Sequence, residues 1–160
     1  MARILVVCTA NICRSPVAAA LLRDRLRQRG LAEWRVGSAG TWAVVIRPAS
    51  RHSVSVMSRH GHDITDHRAA MVNEAYLREA DLVLTMETGH AEALRAEFPA
   101  QAHKVYLLTE MIGRAYDVAD PYGGPLEEYE EMYAGLSALI DQGLDRIIAL
   151  ASQNAEEIRN

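Results

Sequence analysis

The sequence predicts an α/β fold, a three-layer sandwich in which a four-stranded parallel sheet carries helices on both faces. Three observations predict it. Short aliphatic and β-branched runs alternate along the chain with segments of helical apolar spacing, the pattern of strand–helix–strand units. The strand runs are apolar throughout instead of alternating, as strands covered on both faces are. Finally, the 160 residues are 49% apolar and 24% charged with no repeat, low-complexity tract or Pro/Gly-rich linker, which predicts one domain over residues 1–160.

The elements follow in order. Arg3 to Val7 is a continuous apolar run that suits a buried strand. Ser15-Pro16 opens a helix with Pro in its first turn. Val17, Ala20, Leu21 and Leu26 then recur at helical spacing, Arg23, Asp24, Arg25, Arg27 and Arg29 face water, and Gly30 stops the helix. Trp34 to Ala39 reads as the second strand, and Ser50 to His60 as a helix ending before Gly61. Asn73 to Glu79 is a short helix, Asp81 to Met86 a buried strand, Glu87 to Phe98 a helix ended by Pro99, and Lys104 to Leu108 the fourth strand. A polar stretch containing Asp117, Asp120, Pro121, Gly123, Gly124 and Pro125 is a loop. The last helix, Leu126 to Ser152, sets Tyr129, Met132, Tyr133, Leu136, Ile140, Leu144, Ile147 and Ile148 on one face. In such sheets the working site lies beyond the carboxyl ends of the strands, near a switch point, and Cys8 stands at that end of the first strand.

Composition narrows the function. Seventeen basic against 21 acidic residues leave a net charge of −4, too mild to draw nucleic acid or a membrane surface by bulk electrostatics. No apolar run approaches a bilayer span, and the apolar stretch behind Met1 is too short for a signal peptide. The two cysteines, Cys8 and Cys13, make neither a disulfide scaffold nor a zinc site, and the six histidines show no metal-ligand spacing. The expectation is a cytoplasmic protein with no metal and no cofactor, and no nucleic-acid or membrane partner.

The chemistry concentrates after the first strand, in Cys8-Thr9-Ala10-Asn11-Ile12-Cys13-Arg14-Ser15. A short loop closing onto a helix N-terminus turns successive backbone N–H groups inward, a nest for a tetrahedral oxyanion. Thr9, Ala10, Asn11, Ile12, Cys13 and Ser15 would form this phosphate-binding loop, and Asn tolerates the left-handed backbone that a tight nest needs. The guanidinium of Arg14 can grip two phosphate oxygens at once. Cys8, beneath the nest, is placed as a nucleophile for covalent phosphoryl transfer, and Ser15 can donate a hydrogen bond to its sulfur. The bland alternative is a buried structural cysteine followed by an unrelated Arg; the strand before the loop and the Ser-Pro helix start after it weigh against that.

Val-Cys-Thr-Ala-Asn-Ile-Cys-Arg-Ser-Pro, at positions 7–16, resembles the phosphate loop of the low-molecular-weight protein tyrosine phosphatases. The resemblance covers nearly the whole chain, through Ser38-Ala39-Gly40-Thr41, Gly61 to His67-Arg68, Asp81 to Met86 and Asp117-Val118-Ala119-Asp120-Pro121-Tyr122. It implies that Cys8 attacks phosphorus, that Arg14 binds the phosphate and its transition state, and that Asp120 protonates the leaving phenolate and then activates water. It also implies that Asn11, Ser15, Ser38 and His67 form a hydrogen-bond network holding the loop. Taken alone, Asp120 reads as a turn residue before Pro121 and His67 as an ordinary histidine. For Cys13 the family suggests a reversible disulfide with Cys8, and simple loop packing stands beside that reading.

The resemblance implies a phosphotyrosine-containing protein substrate. Ile12, Trp42 and Tyr122 would wall its pocket, with Trp42 open to a core reading as well. The family includes protein-arginine phosphatases, which tend to carry Thr where this chain has Ile12; a branched apolar side chain favours a phenyl ring there. The chain departs from the pattern at Ala10, where Gly is usual, and at Val44, where Trp is common. It departs again in Val45 to Ser50, at Ala70, and at Gly123, where some members carry a second Tyr. A methyl group at Ala10 would narrow the cradle if the backbone there needs positive φ. Two further readings are an arsenate reductase relative, which needs a later cysteine pair that this chain lacks, and a non-catalytic phosphate-binding module. The oligomeric state has no signature in the sequence.

Overall fold

The computed structural model describes residues 1–159. Four strands, β1 (Arg3–Cys8), β2 (Arg35–Gly40), β3 (Leu82–Thr85) and β4 (Val105–Leu107), form one parallel sheet in the order β2-β1-β3-β4. Five α-helices cover it: α1 (Arg14–Gln28), α2 (Arg51–Arg59), α3 (Glu74–Glu79), α4 (Thr88–Glu97) and α5 (Leu126–Arg159). The alternating Cβ direction of a strand splits the core in two. Ile4, Val6 and Cys8 of β1 point into the layer of α1, α2 and α5, whereas Leu5 and Val7 pack with Leu77 of α3 and Ala91 and Leu94 of α4. This is the predicted three-layer sandwich.

Most predicted ends move by a residue or two, for local reasons. Helix α1 begins at Arg14, with Pro16 still in its first turn, and ends at Gln28 because Gly30 takes a left-handed φ of 77° beyond the cap. Ser50 and Asn73 lie just outside their helices as caps, each side chain accepting an N–H from its first turn, Ser53 and Tyr76 respectively. Pro99 ends α4 as expected but also opens a 3-10 turn over Pro99–Lys104, and a second 3-10 turn over Leu108–Ile112 ends at Gly113, φ 74°. The largest correction is α5, which runs past Ser152 to Arg159. Residues 153–157 hold no Gly or Pro, and the Asn154 amide donates to the Asp81 carbonyl at 2.7 Å, tying this extra stretch to the start of β3. Among the described residues no helix is long and apolar enough to cross a membrane.

The strand order makes the crevice. The chain leaves β1 for β2 on one side and later enters β3 on the other, so β1 lies between them. The connection after β1 climbs to α1 on one face, and that after β3 leads to α4 on the other. Their divergence opens a gap at the carboxyl ends of β1 and β3.

Candidate active site

Residues 9–13 bridge β1 and α1 as a tight loop whose carbonyls are held from outside. The Cys8 and Thr9 carbonyls accept from the Thr41 and Trp42 amides at 3.0 and 2.9 Å. The Ile12 carbonyl accepts from the Ser50 amide at 2.8 Å, and the Cys13 carbonyl from the Ser53 hydroxyl at 3.2 Å. Across a planar trans peptide the N–H points opposite to the C=O, so outward carbonyls turn the intervening amides toward the cleft. With the open N-terminus of α1 they form the anion nest predicted from the sequence.

Asn11 fixes the loop's sharpest bend. It is the non-glycine residue with a left-handed backbone among the described residues, φ 59°, and its side chain is fully buried. Its amide donates to the Ser15 and Ser38 hydroxyls at 2.7 and 2.9 Å, and its Oδ1 accepts the Ala70 N–H at 2.9 Å. His67 donates from Nε2 to the Asn11 carbonyl at 2.6 Å, and burial pushes that imidazole's pKa down, favouring its neutral form. Ala10 lies outside the left-handed region, so its methyl group meets no backbone penalty.

The buried Cys8 Sγ lies 3.0 Å from the Ser15 Oγ. Because the Ser15 hydroxyl already accepts from Asn11, its own hydrogen is free for the sulfur. Arg14 is 1% exposed. Its Nη1 donates to the Val118 carbonyl and pairs with Glu87, both at 2.7 Å, while Nη2 lies 3.4 Å from Thr9 Oγ1 and 3.6 Å from Asp120 Oδ2. Its Nε is buried with no partner among the described residues. A buried guanidinium N–H without an acceptor is costly, and an anion's oxygen in the cleft would satisfy it.

The two loop aspartates differ. Asp117 Oδ1 accepts the Thr88 amide and hydroxyl at the start of α4, at 2.7 and 3.1 Å, and these bonds hold its carboxyl below the usual carboxylate range. Asp120 Oδ1 accepts the Tyr122 amide at 3.1 Å, the turn role read from Asp-Pro, while its other oxygen faces Arg14 across the cleft. Asp120 therefore both shapes the turn and overlooks the nest.

Cys8, Thr9, Ala10, Ile12, Cys13 and Arg14 form the floor of a cleft of about 340 Å³, and Trp42, Val44, Val45, Arg47, Asp120 and Tyr122 form its walls. Trp42 is 70% exposed, which excludes the core reading, and the Arg47 guanidinium carbon lies 6.0 Å from the Tyr122 ring centroid. Ser15, Ser38 and His67 brace the loop from behind by their bonds to Asn11. Cys13 Sγ lies 3.5 Å from both Ser50 Oγ and Tyr129 Oη, both cysteines are free, and burial pushes the Cys13 thiol up.

Three residues at the site were not singled out from the sequence. Glu87 and His90 come from the N-cap and first turn of α4, just after β3, and no local signal joins them to Cys8; only the strand order does. Gly40 is the third. A Cβ there would press on the Thr9 carbonyl oxygen and stand 3.0 Å from the Asn11 nitrogen. The quoted Ser-Ala-Gly-Thr motif contains this glycine, so its signal was present without a role attached.

A sequence profile of the low molecular weight phosphotyrosine protein phosphatases matches residues 3–150. The chain is 40% identical over 147 residues to a probable low molecular weight protein-tyrosine-phosphatase, EpsP, of Ralstonia nicotianae, covering 92% of this chain and 97% of that one. It is 36% identical over 146 residues to a protein-arginine-phosphatase of Geobacillus stearothermophilus, covering 91% and 95%. Among solved structures, a low molecular weight protein tyrosine phosphatase from T. tengcongensis superposes with a TM-score of 0.86 at 40% identity, covering 91% of this chain and 99% of the other.

Proposed function

Because the chain belongs to the low molecular weight phosphotyrosine protein phosphatase family, we propose that it is a protein-tyrosine phosphatase acting on phosphotyrosine and aryl phosphate monoesters. The observation that carries the reading is one cleft in which a buried thiol, a buried guanidinium with an unpartnered N–H and a loop carboxylate converge. In the first step the Cys8 thiolate attacks phosphorus, the P–O bond to the tyrosine ring breaks, and Asp120 gives its proton to the departing oxygen. Arg14 and the inward amides hold the equatorial oxygens. In the second step Asp120 takes a proton from water, the hydroxide attacks the phosphocysteine, and Cys8 leaves as thiolate with a hydrogen bond from Ser15. Asp117 is bound to Thr88 in its charged form, which favours Asp120 as the acid.

Specificity for phosphotyrosine over phosphoarginine is supported by Ile12, whose branched side chain borders the cleft beside aromatic Trp42 and Tyr122. Similarity to a protein-arginine-phosphatase favours the second reading, dephosphorylation of phosphoarginine with the same Cys8 and Arg14. Two free cysteines suit a reducing compartment, so we assign the enzyme, as one domain over the whole chain, to the cytoplasm. Phosphate release from an aryl phosphate in the presence of a chelator tests the reaction. Undiminished turnover, inhibition by vanadate, and its loss in Cys8→Ser are expected; turnover surviving in Cys8→Ser would refute the phosphocysteine route.

A further inference from the structure

The polar cluster behind the loop contains a histidine that the mechanism above does not use. His90, in the first turn of α4, is buried; its Nδ1 faces the Glu87 backbone, and its Nε2 faces the Thr9 hydroxyl, with the Glu87 carboxylate farther off at 3.6 Å. Nδ1 lies 3.2 Å from the Glu87 backbone N–H, which can only donate, so Nδ1 is the acceptor. A neutral imidazole then carries its proton on Nε2, and Nε2 lies 2.8 Å from the Thr9 hydroxyl. Burial, the largest influence, pushes the His90 pKa down, and the Arg14 charge acts the same way against the opposing pull of Glu87, Asp117 and Asp120.

This tautomer fixes the hydroxyl of Thr9. With His90 donating at 2.8 Å and Arg14 Nη2 at 3.4 Å, both lone pairs of Thr9 Oγ1 are engaged. The hydroxyl is left with its hydrogen to donate, and Thr9 borders the cleft beside Cys8. Neither His90 nor Glu87 borders that cleft, so the direct link from His90 to the cleft is its bond to Thr9.

We propose that His90 is a positioning residue of the reaction, which by donating from Nε2 holds the Thr9 hydroxyl as a hydrogen-bond donor to a phosphoryl oxygen bound in the nest. The inference rests on the phosphatase reading of the cleft. It adds to Arg14 and the loop amides a neutral donor whose direction is set from the other face of the sheet.

Two substitutions separate positioning from packing. His90→Gln sets an amide donor near the former Nε2 and keeps the bond to Thr9. His90→Asn keeps an acceptor for the Glu87 amide but is too short to reach Thr9. Turnover of an aryl phosphate, binding of vanadate and thermal stability are measured for both, alone and combined with Thr9→Val. The expectation is a loss of about tenfold in kcat/KM and in vanadate affinity for His90→Asn, with His90→Gln staying within about threefold of wild type. Thr9→Val should lose about as much as His90→Asn, and the double variant no more than either, because both remove one bond. Equal losses in Asn and Gln that track lowered stability, or losses that multiply in the Thr9→Val background, would overturn the proposal. A wild-type protein without turnover would instead sink the phosphatase reading, and this inference with it.

Discussion

Asp117 and Asp120 share one loop, and their surroundings divide the labour between them. Thr88 bonds Asp117 in its charged form, whereas Asp120 keeps one oxygen for the turn and one for the cleft. Asp120→Asn should therefore lower kcat by about 10² to 10⁴, with the deepest loss for aryl phosphates whose phenols are weak acids. A loss equal across leaving groups would remove Asp120 from the acid role. Asp117→Asn should lower thermal stability by loosening the start of α4 and leave the leaving-group dependence unchanged. Ile12 carries the other residue-scale claim. Ile12→Thr, which narrows the apolar surface at the floor of the cleft, should raise phosphoarginine turnover relative to phosphotyrosine; an unchanged ratio would show that the discrimination lies elsewhere. What was legible at this scale was local. Cys8, Asn11, Arg14 and Ser15 lie within one loop and helix start, so their spacing alone describes a nest.

At the scale of elements, the loop keeps its shape through neighbours pressed against it. Gly40 ends β2 where a side chain would meet the Thr9 carbonyl and the Asn11 nitrogen. Gly40→Ala should push the loop outward and lower kcat/KM by about a hundredfold, the order of loss that an ångström of misplacement brings. Near wild-type activity in this variant would contradict the tight seating of β2 against the loop. The strands and principal helices were readable because each carries its own period of apolar residues. The two 3-10 turns were not, since neither Pro99–Lys104 nor Leu108–Ile112 carries an apolar spacing that sets it apart from the strand beside it. The end of α5 was missed because its apolar face thins after Ala151, while helix-forming residues and the Asn154 bond to Asp81 continue the helix. Glu87 and His90 stayed invisible for a topological reason, as nothing near them in the chain announces that β3 lies beside β1.

At the scale of the molecule, the sheet order creates the crevice, and the half-buried His67 and the buried His90 lend it a pH dependence. His67 and His90 both have pKa values lowered by burial, so the unfolded chain binds protons more readily than the folded one below about pH 6.5. Their contribution to stability is complete above that pH and is lost as the pH falls toward the folded values. Asp117 and Glu130, depressed by their partners, act lower, with stability present above their unfolded values near pH 4 and lost beneath them. Thermal stability should therefore begin to fall as the pH drops below about 6.5, and replacing His67 and His90 with Gln should flatten that first slope. An unaltered slope would assign it to other groups. The central claim is that this nest, with Ile12 on its floor and Trp42 and Tyr122 on its walls, hydrolyses phosphotyrosine. The most direct measurement is phosphate release from a phosphotyrosine peptide and a phosphoarginine peptide, side by side, with wild type and Cys8→Ser. The account predicts faster release from phosphotyrosine and none from either peptide with Cys8→Ser; faster release from phosphoarginine, or release from neither by the wild type, would contradict it.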